Sequence, residues 1–378
     1  METAIKKIGE KACTGCFGCY NVCPVNAIKM KLDKEGFYKP EILDNCVECG
    51  KCQNGCPVVR YDKINRYIKS YAAWSNEKDI VLNSSSGGIF SELALKIFLD
   101  KGIVYGAAWE NGQVKHKRID KEKYLESIRG SKYIPSNIGF TYREIIEDLN
   151  HGKKVLFCGT PCQVAALKKI VNNNNLITVD FICHGIPSYK AYEKYCIEEF
   201  KEKIKKVDFR NKMKGWKDYY LVYFGKKKKI FHHNLDMFFN GFMENIYLNK
   251  SCYNCRFKGN KCGNERVADI TLGDFWGIPQ ELFNKDGVSF IVINNEKGMT
   301  LFNEIKSSIT YREVSLNVGL KENSCFYNSC NEPKERELFY KNIDDMSFKN
   351  LSNKYFKMPN LLLFLIKRIV RRLRIINK

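Results

Sequence analysis

The sequence contains no apolar run approaching the roughly 20 residues needed to span a bilayer. Residues 1–12 are charged and lack the apolar centre of a secretory leader, so a cytoplasmic location is expected. No G-x-G-x-x-G fingerprint follows a strand-like segment, and no motif supports a nicotinamide partner. Basic residues are not interleaved with aromatics in any recognised nucleic-acid module, so no nucleic-acid partner is expected. Histidine is scarce, with five among 378 residues, and no acid follows Asp345. What is present excludes intrinsic disorder: 44% of residues are hydrophobic and 13% aromatic, enough for one large core or two smaller ones. The formal charge is +21, from 63 Lys and Arg against 42 Asp and Glu. The 17 cysteines, in a long chain without an export signal, point to metal ligands or redox chemistry rather than disulfides.

Eight of those cysteines fall in residues 1–60 and form an internal repeat. Cys13, Cys16, Cys19 and Cys23 recur as Cys46, Cys49, Cys52 and Cys56, and each set closes with a proline, Pro24 or Pro57. Both copies fit the C-x2-C-x2-C-x3-C-P run of bacterial two-cluster ferredoxins, in which three close thiolates wrap one cubane and the fourth reaches the other. One 4Fe-4S cluster is therefore expected on Cys13, Cys16, Cys19 and Cys56, and a second on Cys46, Cys49, Cys52 and Cys23. Gly15, Gly18, Gly50 and Gly55 are expected to let the backbone fold tightly around the clusters and aim N–H groups at sulfur. A pair of structural zinc sites is the alternative, but zinc has no use for this crosswise doubling.

From about Tyr71 short apolar runs alternate with amphipathic stretches. Residues 103–109, 154–158 and 177–183 read as buried strands, and 89–99, 142–149 and 163–170 as helices. An α/β domain with largely parallel strands is expected, with Gly102 as a left-handed cap after the first helix. Residues 219–224 and 230–233 read as a hairpin whose turn holds Lys226 to Lys229 as a solvated tip, and 288–294 as a further strand. Ser86, Gly87 and Gly88 precede a helix, where backbone N–H groups and the helix dipole suit a phosphate; an ordinary capped helix fits equally. Arg129, Ser131, Lys132 and Tyr133 form a basic turn open to the same two readings. Thr160, Pro161 and Cys162 sit where a strand gives way to a helix, and Cys183 with His184 ends the next strand, so both can line one crevice at the strands' carboxyl ends.

The stretches SSSGGIFSELA, RGSKYIPS, GKKVLFCGTPCQVAALK, VDFICHGIPS, CYNCRF and ADITLGDFWGI occur in this order between Ser84 and Ile278. In them the chain resembles the family of coenzyme F-420 hydrogenase/dehydrogenase beta subunits; with the cysteine repeat, the resemblance covers roughly residues 10–295. It implies an iron–sulfur flavoprotein that moves electrons between a hydride carrier or organic substrate and one-electron centres. FAD is the implied flavin. Deazaflavin coenzyme F-420 is the carrier in the family name, although not every relative need use it, and some relatives occur in cell-surface polysaccharide clusters. The resemblance places Ser86, Gly87, Gly88, Arg129, Ser131, Lys132 and Tyr133 near the flavin, and Thr160, Pro161 and Cys162 facing the flavin or a cluster.

The expected architecture is thus mixed, α+β with α/β. A ferredoxin-type domain (1–60) precedes a larger flavin-binding α/β domain in two parts (71–150 and 151–340) and a basic amphipathic tail (341–378). A third 4Fe-4S cluster is expected on Cys252, Cys255 and Cys262, with Cys162 as fourth ligand. Cys183, His232 and His233 are the alternatives, and a histidine would bring zinc into consideration. Cys158, Cys196, Cys325 and Cys330 lack ligand spacing. His184 and Asp274 are the catalytic candidates; Asp269 and Trp276 share the motif of Asp274, for which a turn-capping role is an equal alternative. From Pro359, Leu362, Leu365, Ile366, Ile369, Leu373 and Ile376 fall on one helical face and Lys367, Arg368, Arg371, Arg372 and Arg374 on the other. Such a helix suits an anionic membrane surface, an acidic partner, or packing on its own domain. A ferredoxin-like or other redox partner is expected at the N-terminal clusters. The enzyme reading has one rival, an electron-transfer subunit without catalysis of its own.

Overall fold

The computed structural model describes residues 2–60 and 66–356. Its strands are β1 (Ile28–Leu32), β2 (Tyr38–Ile42), β3 (Lys69–Ser75), β4 (Ile103–Glu110), β5 (Gln113–Ile119), β6 (Ser136–Asn137), β7 (Val155–Cys158) and β8 (Leu176–Phe181). Then follow β9 (Lys206–Asn211), β10 (Tyr220–Phe224), β11 (Lys228–His232), β12 (Ile270–Asp274), β13 (Ser289–Ile293) and β14 (Ile309–Val314). A nine-stranded sheet in the order β14-β3-β13-β12-β8-β7-β4-β5-β6 forms the centre. Strands from both sides of residue 150 interleave in it.

The sheet is mixed rather than largely parallel. Its middle, β4-β7-β8-β12, is parallel, whereas β5 pairs antiparallel with β4, and β13, β3 and β14 add antiparallel on the other side. Residues 155–157 of β7 and 176–180 of β8 are buried throughout, as strands covered on both faces must be. The helix Ile89–Leu99 lies where its periodicity places it, and Pro161–Ile170 starts from a capping box in which Thr160 and Gln163 exchange bonds, with Pro161 in the first turn. Gly102 is not the left-handed residue after the first of these; Lys101 is, at φ 55°. Gly102 is small for another reason: a Cβ there would meet the Lys154 carbonyl oxygen at 2.5 Å.

The N-terminal module is docked onto this sheet. Phe17, Ile28 and Val58 share one core with Tyr142, Phe157 and Val164. Arg143 spreads its guanidinium over the module, donating to the carbonyls of Asn21 and Cys23, both at 2.8 Å, and to Asn26 Oδ1 at 2.9 Å. At the turn between β1 and β2, Tyr189 N–H donates to the Gly36 carbonyl at 3.1 Å. Gly36 has φ 86°, and a Cβ would lie 2.4 Å from Lys190 N, so the contact requires glycine.

A second layer packs β9, β10 and β11 with the helices Tyr189–Phe200 and Met237–Met243 around an aromatic core that also buries Cys196. Phe348, Leu351 and Tyr355 of the helix Phe348–Tyr355 close that core. The tail from Pro359, with its apolar residues Leu362 to Ile376 and its cations Lys367 to Arg374, lies outside the described residues. No helix among the described residues is long and apolar enough to cross a membrane.

Candidate metal centres

The helices Gly18–Val22 and Lys51–Asn54 each start from a left-handed residue, Phe17 at φ 65° and Gly50 at φ 73°. The two motifs cross at Gly18 and Gly55, where a Cβ on Gly18 would sit 2.3 Å from the Gly55 carbonyl oxygen. This crossing carries Cys56 to the thiols of the first motif: Cys16 has Cys56 and Cys13 close enough to oppose its ionisation, and Cys19 has Cys16, Cys13, Cys56 and, from the outer group, Cys52. Backbone N–H groups of Gly15 and Gly18 reach Cys13 and Cys16. Burial first, and the adjacent Cys56 second, push the Cys16 thiol up to about 12. Cys23 departs in the other direction and lines one cavity with Cys46, Cys49 and Cys52. There Ala27 N–H donates to Cys23 Sγ at 3.2 Å and Ala4 N–H to Cys52 Sγ at 3.3 Å. Cys49 is exposed, and Val25, Leu43 and Val47, the last 61% exposed, surround this outer group.

A third group forms where the parallel strands end. The chain leaves β7 through Thr160 to Cys162, and leaves β8 through Cys183, while Cys252 ends the short helix Lys250–Cys252 and Cys255 follows it. Cys162 has Cys16, Cys255 and Cys183 as neighbours that oppose its ionisation, and Cys183 has Cys252, Cys255 and Cys325. Burial pushes Cys183 up to about 12 and Cys252 to about 11. Ile186 N–H points at Cys252 Sγ, 3.4 Å away. Cys262 is exposed on the turn of Asn260, whereas Cys183 has Cys252 and Cys255 beside it. His232 pairs with Asp218 at 2.7 Å and His233 stacks on Tyr219, both away from these thiols. The third group adjoins the first: Tyr142 donates its hydroxyl proton toward the Cys16 carbonyl at 2.9 Å and the Gln163 carbonyl at 3.1 Å.

The loops of residues 84–88 and 129–133 also meet. Ser131 N–H and hydroxyl reach Ser85 Oγ at 2.8 and 2.9 Å, which brings residues 84–88 against residues 129–133. Within these loops Ser84 Oγ and Arg129 Nε are buried with no protein partner. Ser86 donates to the Val288 carbonyl, Gly87 N–H to Ser289 Oγ, and Lys132 Nζ to the Arg129 and Gly130 carbonyls. Gly88, at φ 87°, starts the helix. Tyr133 turns into the aromatic core against Phe209, Phe239 and Phe242. Thr160 Oγ1 lies 3.1 Å from Cys162 Sγ, and Pro161 is buried behind it.

Of the acid–base candidates, Asp274 accepts from the Trp216 indole at 2.7 Å and from Arg210 at 3.0 Å, while Trp276 stacks on Trp216. Asp269 pegs β12 to β8 through Thr178 and to Lys168 at 2.8 Å. His184 stands between Cys325 and Cys330, which spacing alone had left unassigned. No local sequence signal joins these three, because the sheet order brings together residues more than 140 positions apart.

Comparison with known proteins adds the following. Residues 152–317 match the family model described as the C terminus of the coenzyme F420 hydrogenase/dehydrogenase beta subunit, and residues 12–59 match a 4Fe-4S dicluster domain. The chain is 24% identical over 326 residues to a subunit of the F(420)H(2) dehydrogenase of Methanosarcina mazei, covering 81% of this chain and 86% of that protein. It is 25% identical over 222 residues to an iron-sulfur subunit of the CoB–CoM heterodisulfide reductase of Methanocaldococcus jannaschii, covering 52% of this chain but 32% of that protein. A chain of the F420-reducing [NiFe] hydrogenase complex from Methanosarcina barkeri aligns at a TM-score of 0.49 with 16% identity, over 78% of this chain and 97% of that one.

Proposed function

Because this chain joins a 4Fe-4S dicluster domain to the C-terminal domain found in coenzyme F420 hydrogenase/dehydrogenase beta subunits, we infer that it is an iron–sulfur electron-transfer subunit that conducts single electrons between its surface and a buried flavin. The observation that supports this reading is a continuous run of neighbouring thiols, which we assign to three groups of four. The outer group is Cys23, Cys46, Cys49 and Cys52; the middle group is Cys13, Cys16, Cys19 and Cys56; the inner group is Cys162, Cys183, Cys252 and Cys255. Cys52 neighbours the middle group, and Cys16 neighbours Cys162, so each group adjoins the next. Each set offers four soft donors and backbone N–H groups directed at sulfur, which suits a cubane. The exposed apolar rim of Val25, Leu43 and Val47 gives a redox partner of the ferredoxin type a place to dock beside the outer group.

Cys23→Ser tests the crosswise arrangement. The variant should disturb the outer cluster while leaving the signal of the middle cluster, although Cys23 belongs to the first motif. Loss confined to the middle cluster, read by paramagnetic resonance of the reduced protein, contradicts the arrangement.

Residues 84–88 and 129–133 suit the phosphates of FAD, since the partnerless Ser84 Oγ and Arg129 Nε offer bonds that the protein itself leaves unmade. A bound flavin supplies the exchange between two-electron hydride chemistry and single electrons. Gly88→Asp is a poor probe, because any Cβ at Gly88 would meet Ile80 at 2.8 Å with the backbone at φ 87°. Arg129→Ala avoids that strain. Wild-type protein purified with FAD should keep its flavin through gel filtration and the variant should lose most of it, with iron unchanged. Equal retention removes the assignment, and absence of flavin from both leaves an electron-transfer subunit without hydride chemistry.

A further inference from the structure

His184, Cys325 and Cys330 adjoin the inner thiol group, with Cys325 beside Cys183 and Cys330 beside Cys252, and their ligand atoms all fall within 4.8 Å of one another. Cys325 Sγ is 3.7 Å and Cys330 Sγ 3.8 Å from the same imidazole atom, His184 Nδ1. Around a tetrahedral zinc ion, with Zn–S about 2.3 Å and Zn–N about 2.0 Å, sulfur and nitrogen are separated by about 3.5 Å. Cys330 Sγ, which is 3.8 Å from Nε2 as well, must turn to reach a third corner, while Cys325 and His184 already stand near two corners of such a site. They are also held there. Lys258 Nζ donates to the carbonyls of both Cys183 and Cys325, clamping the two segments together, and Phe242 meets the imidazole edge to face at 4.9 Å. Cys330 is buried, while His184 and Cys325 are partly exposed, so an ion can enter and a fourth position stays open to solvent.

We propose that His184, Cys325 and Cys330 form a mononuclear Cys2His site for a soft divalent cation of the zinc class, separate from the iron–sulfur groups. Binding replaces two thiol protons, which leave to solvent, with two metal–sulfur bonds and one metal–nitrogen bond. Cys330 Sγ, which donates to the His184 carbonyl at 3.0 Å, breaks that hydrogen bond, loses its proton to solvent and turns to the metal. No oxidant or reductant takes part. The imidazole then serves as a ligand and is withdrawn from acid–base work, which removes His184 from the catalytic candidates.

The test uses the full chain, purified anaerobically with its clusters, with zinc chloride as probe. Zinc is measured by mass spectrometry and its surroundings by X-ray absorption at the zinc edge. About one zinc per chain is expected, with two sulfur, one nitrogen and one lighter donor. In Cys325→Ser, and separately in His184→Ala, affinity should fall more than about 100-fold, because losing merely a hydrogen-bond partner of a ligand already costs about 10–100-fold. Iron and sulfide should stay at wild-type content in Cys325→Ser, which shows that the variant folds. Zinc bound equally by wild type and both variants overturns the proposal. So does an iron content that falls with Cys325, or a disulfide between Cys325 and Cys330 found by anaerobic alkylation of protein that takes up no zinc.

Discussion

Cys183→Ser is expected to lower the iron of anaerobically purified protein from about twelve atoms per chain to about eight, with an equal fall in acid-labile sulfide. Cys262→Ser should leave it at about twelve. Sequence spacing favours the opposite result, because Cys252, Cys255 and Cys262 look like one motif. The proposed grouping rests instead on Cys183 having Cys252 and Cys255 as neighbours while Cys262 is exposed. The inner thiols are partly buried, and a serine in place of one leaves three donors, with Cys325 as the neighbouring thiol and committed to the site of His184 and Cys330. The same change should stop electrons supplied at the outer group from reaching a bound flavin, so dithionite reduces the remaining clusters while flavin bleaching slows by orders of magnitude. Retention of twelve iron by Cys183→Ser together with loss in Cys262→Ser would restore the spacing-based grouping and sink the one drawn from the fold.

That contrast shows what was legible in the sequence and what was not. The cysteine repeat was legible because it is local: three thiols, a tight turn and a proline occupy a dozen positions, and Gly18 and Gly55 mark the crossing point. The helix Ile89–Leu99 and the strand Ile103–Glu110 were legible for the same reason, since apolar periodicity is a property of neighbouring residues. Strand direction was not. β13 is buried along its whole length and reads like a central parallel strand, yet it pairs antiparallel with both β12 and β3. Nor could spacing show that the end of β8 lies against Cys252 and against residues 325–330, because that proximity follows from sheet order and loop path. Functional groups built at the carboxyl ends of parallel strands draw on residues far apart in the chain.

Arg336→Met is expected to destabilise the protein by about 3–5 kcal/mol, the usual cost of stranding one partner of a buried ion pair. Its side chain is fully enclosed, and the guanidinium grips Glu35 through both nitrogens, at 2.6 and 3.3 Å, and the Leu248 carbonyl at 3.0 Å. The ring of Tyr340 lies under the charge at 4.6 Å. Glu35 sits in the turn between β1 and β2, so this one residue near the end of the described chain holds the cluster-bearing module against the sheet. Removing it leaves a half-enclosed carboxylate and a carbonyl without partners. At about 2 °C per kcal/mol, the low end for a chain of this length, the unfolding midpoint should drop by roughly 6–10 °C. Arg336→Lys keeps the charge but not the planar fork and should recover only part of the loss. Adding Glu35→Gln to Arg336→Met should recover stability relative to Arg336→Met alone, because the stranded charge is then gone. A fall of less than about 1 kcal/mol in Arg336→Met, the range of an exposed pair, would mean that the apolar contacts of Phe17, Ile28 and Val58 alone hold the module in place.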